Sequence, residues 1–270
     1  MGVDAQRRAL VRAIALALAL VAAGPASACR LALLLALDIS ASVDAREDAL
    51  QRQGLARALA APEVEAALLS GGGPVALSVF EWSGRVQQDM ILPWVLLDSP
   101  AAIRGAADRI RTSRRSYADF PTAAGRMLEF AETRFALAPA CDAQTLDVSG
   151  DGISNDGPDP RAVYAVGGLA GVTVNGLAIV VPRGMGSDHG DEGASIGLAD
   201  WYQAELIRGP GAFVEVADGF DGFERAMRRK LVRETAVQVG ALSPTTLGPT
   251  TQAQTTLAPK TLAPKTLARR

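Results

Sequence analysis

Asp38, Ser40 and Ser42 stand at alternate positions in DISAS (38–42), directly after the apolar run LALLLAL (31–37). A carboxylate and two hydroxyls where a strand leaves the core can form a turn, cap the following helix or hold a cation. The set suits a hard divalent cation, which takes oxygen ligands; Mg²⁺ wants about six in near-octahedral order and often keeps waters among them. A strand sends successive side chains to opposite faces, whereas a turn can aim several oxygens inward. A second stretch has the same character: TLDVSGDG (145–152) ends in Asp151, between Gly150 and Gly152, which let the backbone approach closely.

Other chemistries lack their parts. A serine hydrolase needs a base, and the one histidine, His189, falls in the solvated-looking loop RGMGSDHGDEG (183–193), with no G-x-S-x-G anywhere in the chain. GGGP (71–74) is not followed by G-K-[ST], so no phosphate-binding loop is present. Metal-assisted phosphoester hydrolysis, using Asp38, Asp151 and a cation, is the enzymatic alternative, but no nucleophile or positioned base accompanies them. Asp156 and Asp159, beyond the second acidic turn, can serve a further cation or simply solvate a loop. Trp82, Trp94 and Trp201 fall in or beside expected strands and helices and read as core.

The elements that must position these residues alternate between strand and helix. Strands are predicted around 31–37, at Val75–Trp82, 89–97, 145–149, 172–181 and 211–217, with Pro93 confining the third to a sheet edge. Helices are predicted from an N-cap at Asp44 to about Ala61, and over 99–112, 122–137, 162–171, 197–207 and 220–234. That alternation implies one α/β domain: a doubly wound, mostly parallel sheet with helices on both faces. In such a sheet ligands bind beyond the carboxyl ends of the strands, where the strand order reverses.

The chain ends read differently. Residues 1–28 combine Arg7, Arg8 and Arg12, the apolar AIALALALVAAG (13–24) and the small-residue site ASA (26–28), the pattern of a secretory signal. RRALV (7–11) also loosely fits twin-arginine export, and a membrane anchor fits less well because the apolar stretch is short. From 235 to 270 the chain is Thr/Pro-rich and basic, with the repeat TLAPKTLAPKTLARR (256–270), too poor in apolar mass to fold alone. The whole chain carries a formal charge of −2; leaving out three arginines and one aspartate in 1–28 and four basic residues in 235–270 gives −8 for residues 29–234. An acidic body argues against a nucleic-acid partner, and no internal apolar run is long enough to span a bilayer.

Cys29 and Cys141 are the only cysteines; they precede Asp38 by nine residues and Asp151 by ten. If their strands are parallel neighbours, a disulfide near the strand starts puts both carboxylates at the same far edge. Such a bridge suits an oxidising compartment, periplasmic or secreted. The other reading of ASAC is a lipoprotein acylation site, although Ala26 stands where such sites usually carry Leu.

DISAS resembles the D-x-S-x-S signature of the von Willebrand factor A domain, and SGDG resembles the acidic element that completes that family's metal-ion-dependent adhesion site. More narrowly, LALDISASVD, PW, TAAG, DVSGDG and GPGAFVEVA, in that order, are similar to exported bacterial von Willebrand factor A-like proteins of unknown function, over most of residues 29–234. The resemblance implies that Thr122, in PTAAGRML, supplies a further ligand. The family loop is normally Gly-rich before that Thr, whereas SYADFP (116–121) has no glycine, so Ser116 or Asp119 can stand in for it. The resemblance also implies that Ser40, Ser42 and Thr122 touch Mg²⁺ or Mn²⁺ directly, while Asp38 and Asp151 act largely through water. It further implies a non-enzymatic protein-recognition module whose partner offers a Glu or Asp to the metal.

Overall fold

The structure is a computed structural model that describes residues 29–181 and 197–241. The expected export signal, His189 and the Thr/Pro-rich repeat lie outside the described residues. A six-stranded sheet in the order β3-β2-β1-β4-β5-β6 forms the centre. It comprises β1 (Cys29–Asp38), β2 (Val75–Trp82), β3 (Gln88–Leu97), β4 (Cys141–Gly150), β5 (Thr173–Val180) and β6 (Val214–Asp218). All neighbours pair in parallel except β3, which lies antiparallel on β2 at the edge. The β2–β3 register slips between the Leu77↔Val95 and Val79↔Leu92 pairs, so Pro93 sits at an irregularity where it costs no ladder bond.

β1 is buried along its whole length, as a strand covered on both faces must be. Its Leu31, Leu33, Leu35 and Leu37 belong to the core under α1 (Ala45–Leu59), α2 (Pro62–Leu69), α3 (Pro100–Thr112) and α7 (Phe223–Ala241). Its Ala32, Leu34 and Ala36 belong to the opposite core, under α4 (Ala124–Phe135), α5 (Pro160–Ala165) and Tyr202. Tyr202 opens a π-helical turn, Tyr202–Leu206, that continues α6 (Leu198–Trp201). Asp44 caps α1 through a reciprocal pair with Glu47, the side chain of each accepting the other's backbone N–H.

Several boundaries differ from the sequence reading for local reasons. Pro62 does not simply follow a helix but starts α2, where its missing N–H costs nothing. The helix expected over 162–171 stops at Ala165, because Gly167, Leu169 and Gly171 all take positive φ. β4 starts at Cys141, four residues before the apolar pattern becomes visible. α7 runs past Glu234 to Ala241. Buried Arg30 anchors that extension, donating to the Thr235 carbonyl at 3.2 Å and to the Ala67 carbonyl at 2.9 Å.

Cys29 and Cys141 are register partners at the start of the β1–β4 pair and are disulfide-bonded, with Cα atoms 4.5 Å apart. A sulfur so engaged cannot carry a lipid thioether. The bridge spans 112 residues of sequence. In the chain-entropy account, loss of so long a closure costs about 4–5 kcal/mol. Urea unfolding of the oxidised and reduced chain should therefore show a clear drop in midpoint on reduction; coincident curves would contradict this.

Candidate metal site

The strand order reverses between β1 and β4, and the candidate site sits at their carboxyl ends. Three connections meet there: the β1–α1 turn (39–44), the α3–α4 loop (113–123) and the β4–α5 loop (151–159). The Ala41 N–H donates to the Phe120 carbonyl at 2.8 Å, joining the first loop to the second. The Asn155 N–H donates to the Thr122 carbonyl at 2.9 Å, and the Thr122 N–H donates to Asn155 Oδ1 at 2.9 Å, joining the second to the third.

Asp38 is fully buried, and its Oδ1 accepts the Ser40 N–H at 2.8 Å, which bends the chain out of the strand. Ser40 Oγ and Ser42 Oγ are 3.2 Å apart, and Ser42 Oγ donates to Asp151 Oδ1 at 2.7 Å. The Thr122 hydroxyl faces the same spot, since a Cβ built on Gly152 would lie 3.2 Å from Thr122 Oγ1 and 3.9 Å from Ser42 Oγ. Gly150 is required here for space, and Gly152 leaves little room for a side chain. A Cβ on Gly150 would come within 2.6 Å of Asp38 Oδ2 and 2.8 Å of the Tyr202 hydroxyl. All five sequence-nominated residues thus converge.

The alternatives to Thr122 are directed elsewhere. Ser116 Oγ donates to Asp89 Oδ2 at 2.7 Å, and its N–H donates to Glu81 Oε1 at 2.7 Å. Asp119 is exposed, at a φ of 64°. Asp156 pairs with Arg85 at 2.6 Å and Asp159 caps α5 through the Arg161 N–H, so the structure gives both a local role. Trp82 is core, and Trp94 and Trp201 are partly buried against it.

The residues present fit a hard cation. Asp38 Oδ2 is buried with no hydrogen-bond partner, beside neutral hydroxyls and a second carboxylate. Burial, then the charge of Asp151, push the Asp38 carboxyl up to about 8. Burial also raises Asp151, with Glu47 adding to the rise and the Ser42 hydroxyl opposing it. Two carboxylates that resist ionising side by side are what a divalent cation stabilises.

Sequence reasoning missed Arg115. Its guanidinium donates to the carbonyls of Val43 at 2.7 Å, Ile39 at 2.6 Å and Ser40 at 3.0 Å, clamping the outside of the DISAS turn. It also missed Gln51, whose Nε2 donates to the Asp38 carbonyl at 2.9 Å and whose Oε1 accepts from Ser149 Oγ at 3.3 Å, linking the ends of β1 and β4 to α1. An arginine in a polar loop and a glutamine on a helix carry no sequence signal for such tasks.

Residues 28–239 match the family described as "Protein of unknown function (DUF1194)". The chain belongs to that family. No curated protein matches it. Among solved structures it is similar to proximal thread matrix protein 1 from the mussel byssus with a zinc-occupied MIDAS motif, at 14% identity and TM-score 0.51, covering 78% of this chain and 48% of that one. It is also similar to the pilus adhesin SpaC from Lactobacillus rhamnosus GG, at 11% identity and TM-score 0.51, covering 80% and 31%. A von Willebrand factor type A protein from Catenulispora acidiphila aligns at 18% identity and TM-score 0.47, over 78% and 43%. This DUF1194 chain thus spans about half the length of the mussel protein, and the likeness is one of fold. The fold is von Willebrand factor A-like, a single doubly wound α/β domain.

Without a cation, the folded domain keeps a proton on Asp38 that the unfolded chain releases. The native state then binds more protons than the unfolded state between about pH 4 and about pH 8, and stability falls as pH rises through that window. Thermal unfolding in chelator should show this fall, and Asp38→Asn should reduce it, leaving the part contributed by buried Asp147, which is raised to about 7. An unchanged slope in Asp38→Asn would mean that Asp38 ionises freely.

Proposed function

We propose that the domain is an exported, metal-dependent protein-recognition module of the adhesion type. The observation that carries the reading is the convergence of Asp38, Ser40, Ser42, Thr122 and Asp151 around an unpartnered buried carboxylate oxygen. Ser40, Ser42 and Thr122 would hold Mg²⁺ or Mn²⁺ directly, and Asp38 and Asp151 mainly through water. When bound, the cation supplies a Lewis-acidic open position; neutral direct ligands leave it electron-poor, so it favours a carboxylate from a partner. The mussel protein with zinc in its MIDAS motif supports the same use of this fold.

The partner is a protein that offers a Glu or Asp. The −8 body repels acidic surfaces elsewhere, so the contact is local and sensitive to ionic strength. Export through a signal in residues 1–28 fits the disulfide, which suits the periplasm or the exterior. Among the described residues no helix is long and apolar enough to cross a membrane. Residues 235–270 act as a basic tail, of which the start, to Ala241, is helical. The hydrolase alternative would need a nucleophile or base beside Asp38 and Asp151. The groups gathered there are hydroxyls bonded to each other and to carboxylates, with Arg115 committed to backbone carbonyls.

Calorimetric titration of the purified chain should show one Mg²⁺ or Mn²⁺ site. Asp38→Ala should lose it while far-UV circular dichroism stays that of the wild type. Binding of unchanged affinity in Asp38→Ala would place the site elsewhere. Cation-dependent phosphoester turnover by the wild type, absent in Asp38→Ala, would favour the hydrolase.

A further inference from the structure

A second polar cluster lies beneath α7, around Asp147, three residues before the end of β4. Lys230 of α7 reaches the sheet with its side chain 0% exposed, and its Nζ lies 2.8 Å from Asp147 Oδ1 of β4 and 2.6 Å from Glu234 Oε1. Asp147 and Glu234 are as deeply buried, at 1% and 0% side-chain exposure. Asn175 Nδ2 of β5 donates to the same Glu234 oxygen at 2.8 Å, and the Phe213 ring centroid lies 5.3 Å from the lysine nitrogen. Glu234 Oε2 and both oxygens of Asp147 have no hydrogen-bond partner, so the Lys230–Asp147 Oδ1 contact is a close ion pair outside hydrogen-bond geometry.

One ammonium against two carboxylates leaves the group unbalanced if every member is charged. Burying ions costs several kcal/mol each even after relaxation. The burial of Asp147 raises its carboxyl to about 7, with Lys230 opposing and Glu234 adding to the rise. Transfer of a proton from Lys230 to Asp147 across their 2.8 Å contact would leave an acid and an amine, an electrophile and a nucleophile in contact. Glu234, whose Oε1 accepts from the Asn175 amide and lies 2.6 Å from Lys230 Nζ, sits beside the pair as a base.

We propose that Lys230 and Asp147 become joined by an intramolecular amide bond, with Glu234 as the proton carrier. The Lys230 amine attacks Cγ of the protonated Asp147 carboxyl. Glu234 takes a proton from the nitrogen and returns it to the departing hydroxyl, so one C–N bond forms, one C–O bond breaks and one water leaves. Glu234 ends as it began, and no oxidant or co-reactant is consumed. Amide formation from a free acid and amine is unfavourable in water, where both ionise. Here fixed contact supplies a high effective concentration, and the product removes two buried charges. The bond would tie α7 to the central strand that the disulfide already ties to β1.

Mass spectrometry of the purified, reduced chain decides this directly. The intact mass should be one water short of that calculated for the purified polypeptide from its own first residue. A tryptic digest should contain residues 230–233 attached through Lys230 to residues 135–161, and Glu234→Gln should restore the full mass. A wild-type chain of full mass overturns the proposal and leaves a buried ion cluster. So does a water loss mapped elsewhere, as a Lys230–Glu234 lactam or an Asp151–Gly152 succinimide.

Discussion

The parallel pairing of β1 with β4 is the constraint on which the rest depends. It sits at the centre of the sheet, where the strand order turns back, and its register runs unbroken from Leu31↔Ala143 to Leu37↔Ser149. That register brings the last residue of β1, Asp38, level with the end of β4, so that Asp151 emerges beside it. The disulfide fixes the same register from the other end, and the Gln51–Ser149 contact holds the two strand ends to α1. A slip of one residue would send every leucine of β1 to the wrong face, so the hydrophobic effect guards the geometry of a polar site.

What the core enforces, electrostatics leaves incomplete. Asp38 is carried into full burial by its strand, and the neighbours it meets there are hydroxyls, a glycine and another carboxylate. Among the described residues Arg115 is a cation near both carboxylates and lowers the cost of ionising each, but its donors are spent on the backbone of the turn. The turn is thereby preformed: three loops interlock through the Ala41–Phe120 and Thr122–Asn155 bonds. Preorganised oxygens with an unsatisfied charge are a general route to cation affinity.

Much of this was legible in the sequence because it rests on local patterns. The fully apolar β1, the alternation of strand and helix, Pro93 and the two acidic Gly-flanked or Ser-flanked turns each carry their own physical signature. The cysteine spacing matches the two acidic turns only on the condition that β1 and β4 are parallel neighbours, and the pairing of Cys29 with Cys141 meets that condition. Thr122 was visible only by resemblance, since a Thr before Ala-Ala-Gly has no distinctive pattern of its own. Arg115 and Gln51 were hidden because their roles arise from tertiary contacts 72 and 13 residues away along the chain. The Lys230 cluster was hidden for the same reason: α7 reads as an amphipathic helix rich in arginine, and nothing local shows that one of its cations points inward.

The central claim is that the five converging residues hold a divalent cation. A crystal structure of the purified chain grown with Mn²⁺, with anomalous differences collected at the manganese edge, tests it most directly. The account predicts one strong peak between the strand ends, within a metal–oxygen distance of about 2.0–2.3 Å of the Ser40 and Ser42 hydroxyls. A map with no peak there, or with its only strong peak at another group of side chains, would contradict it.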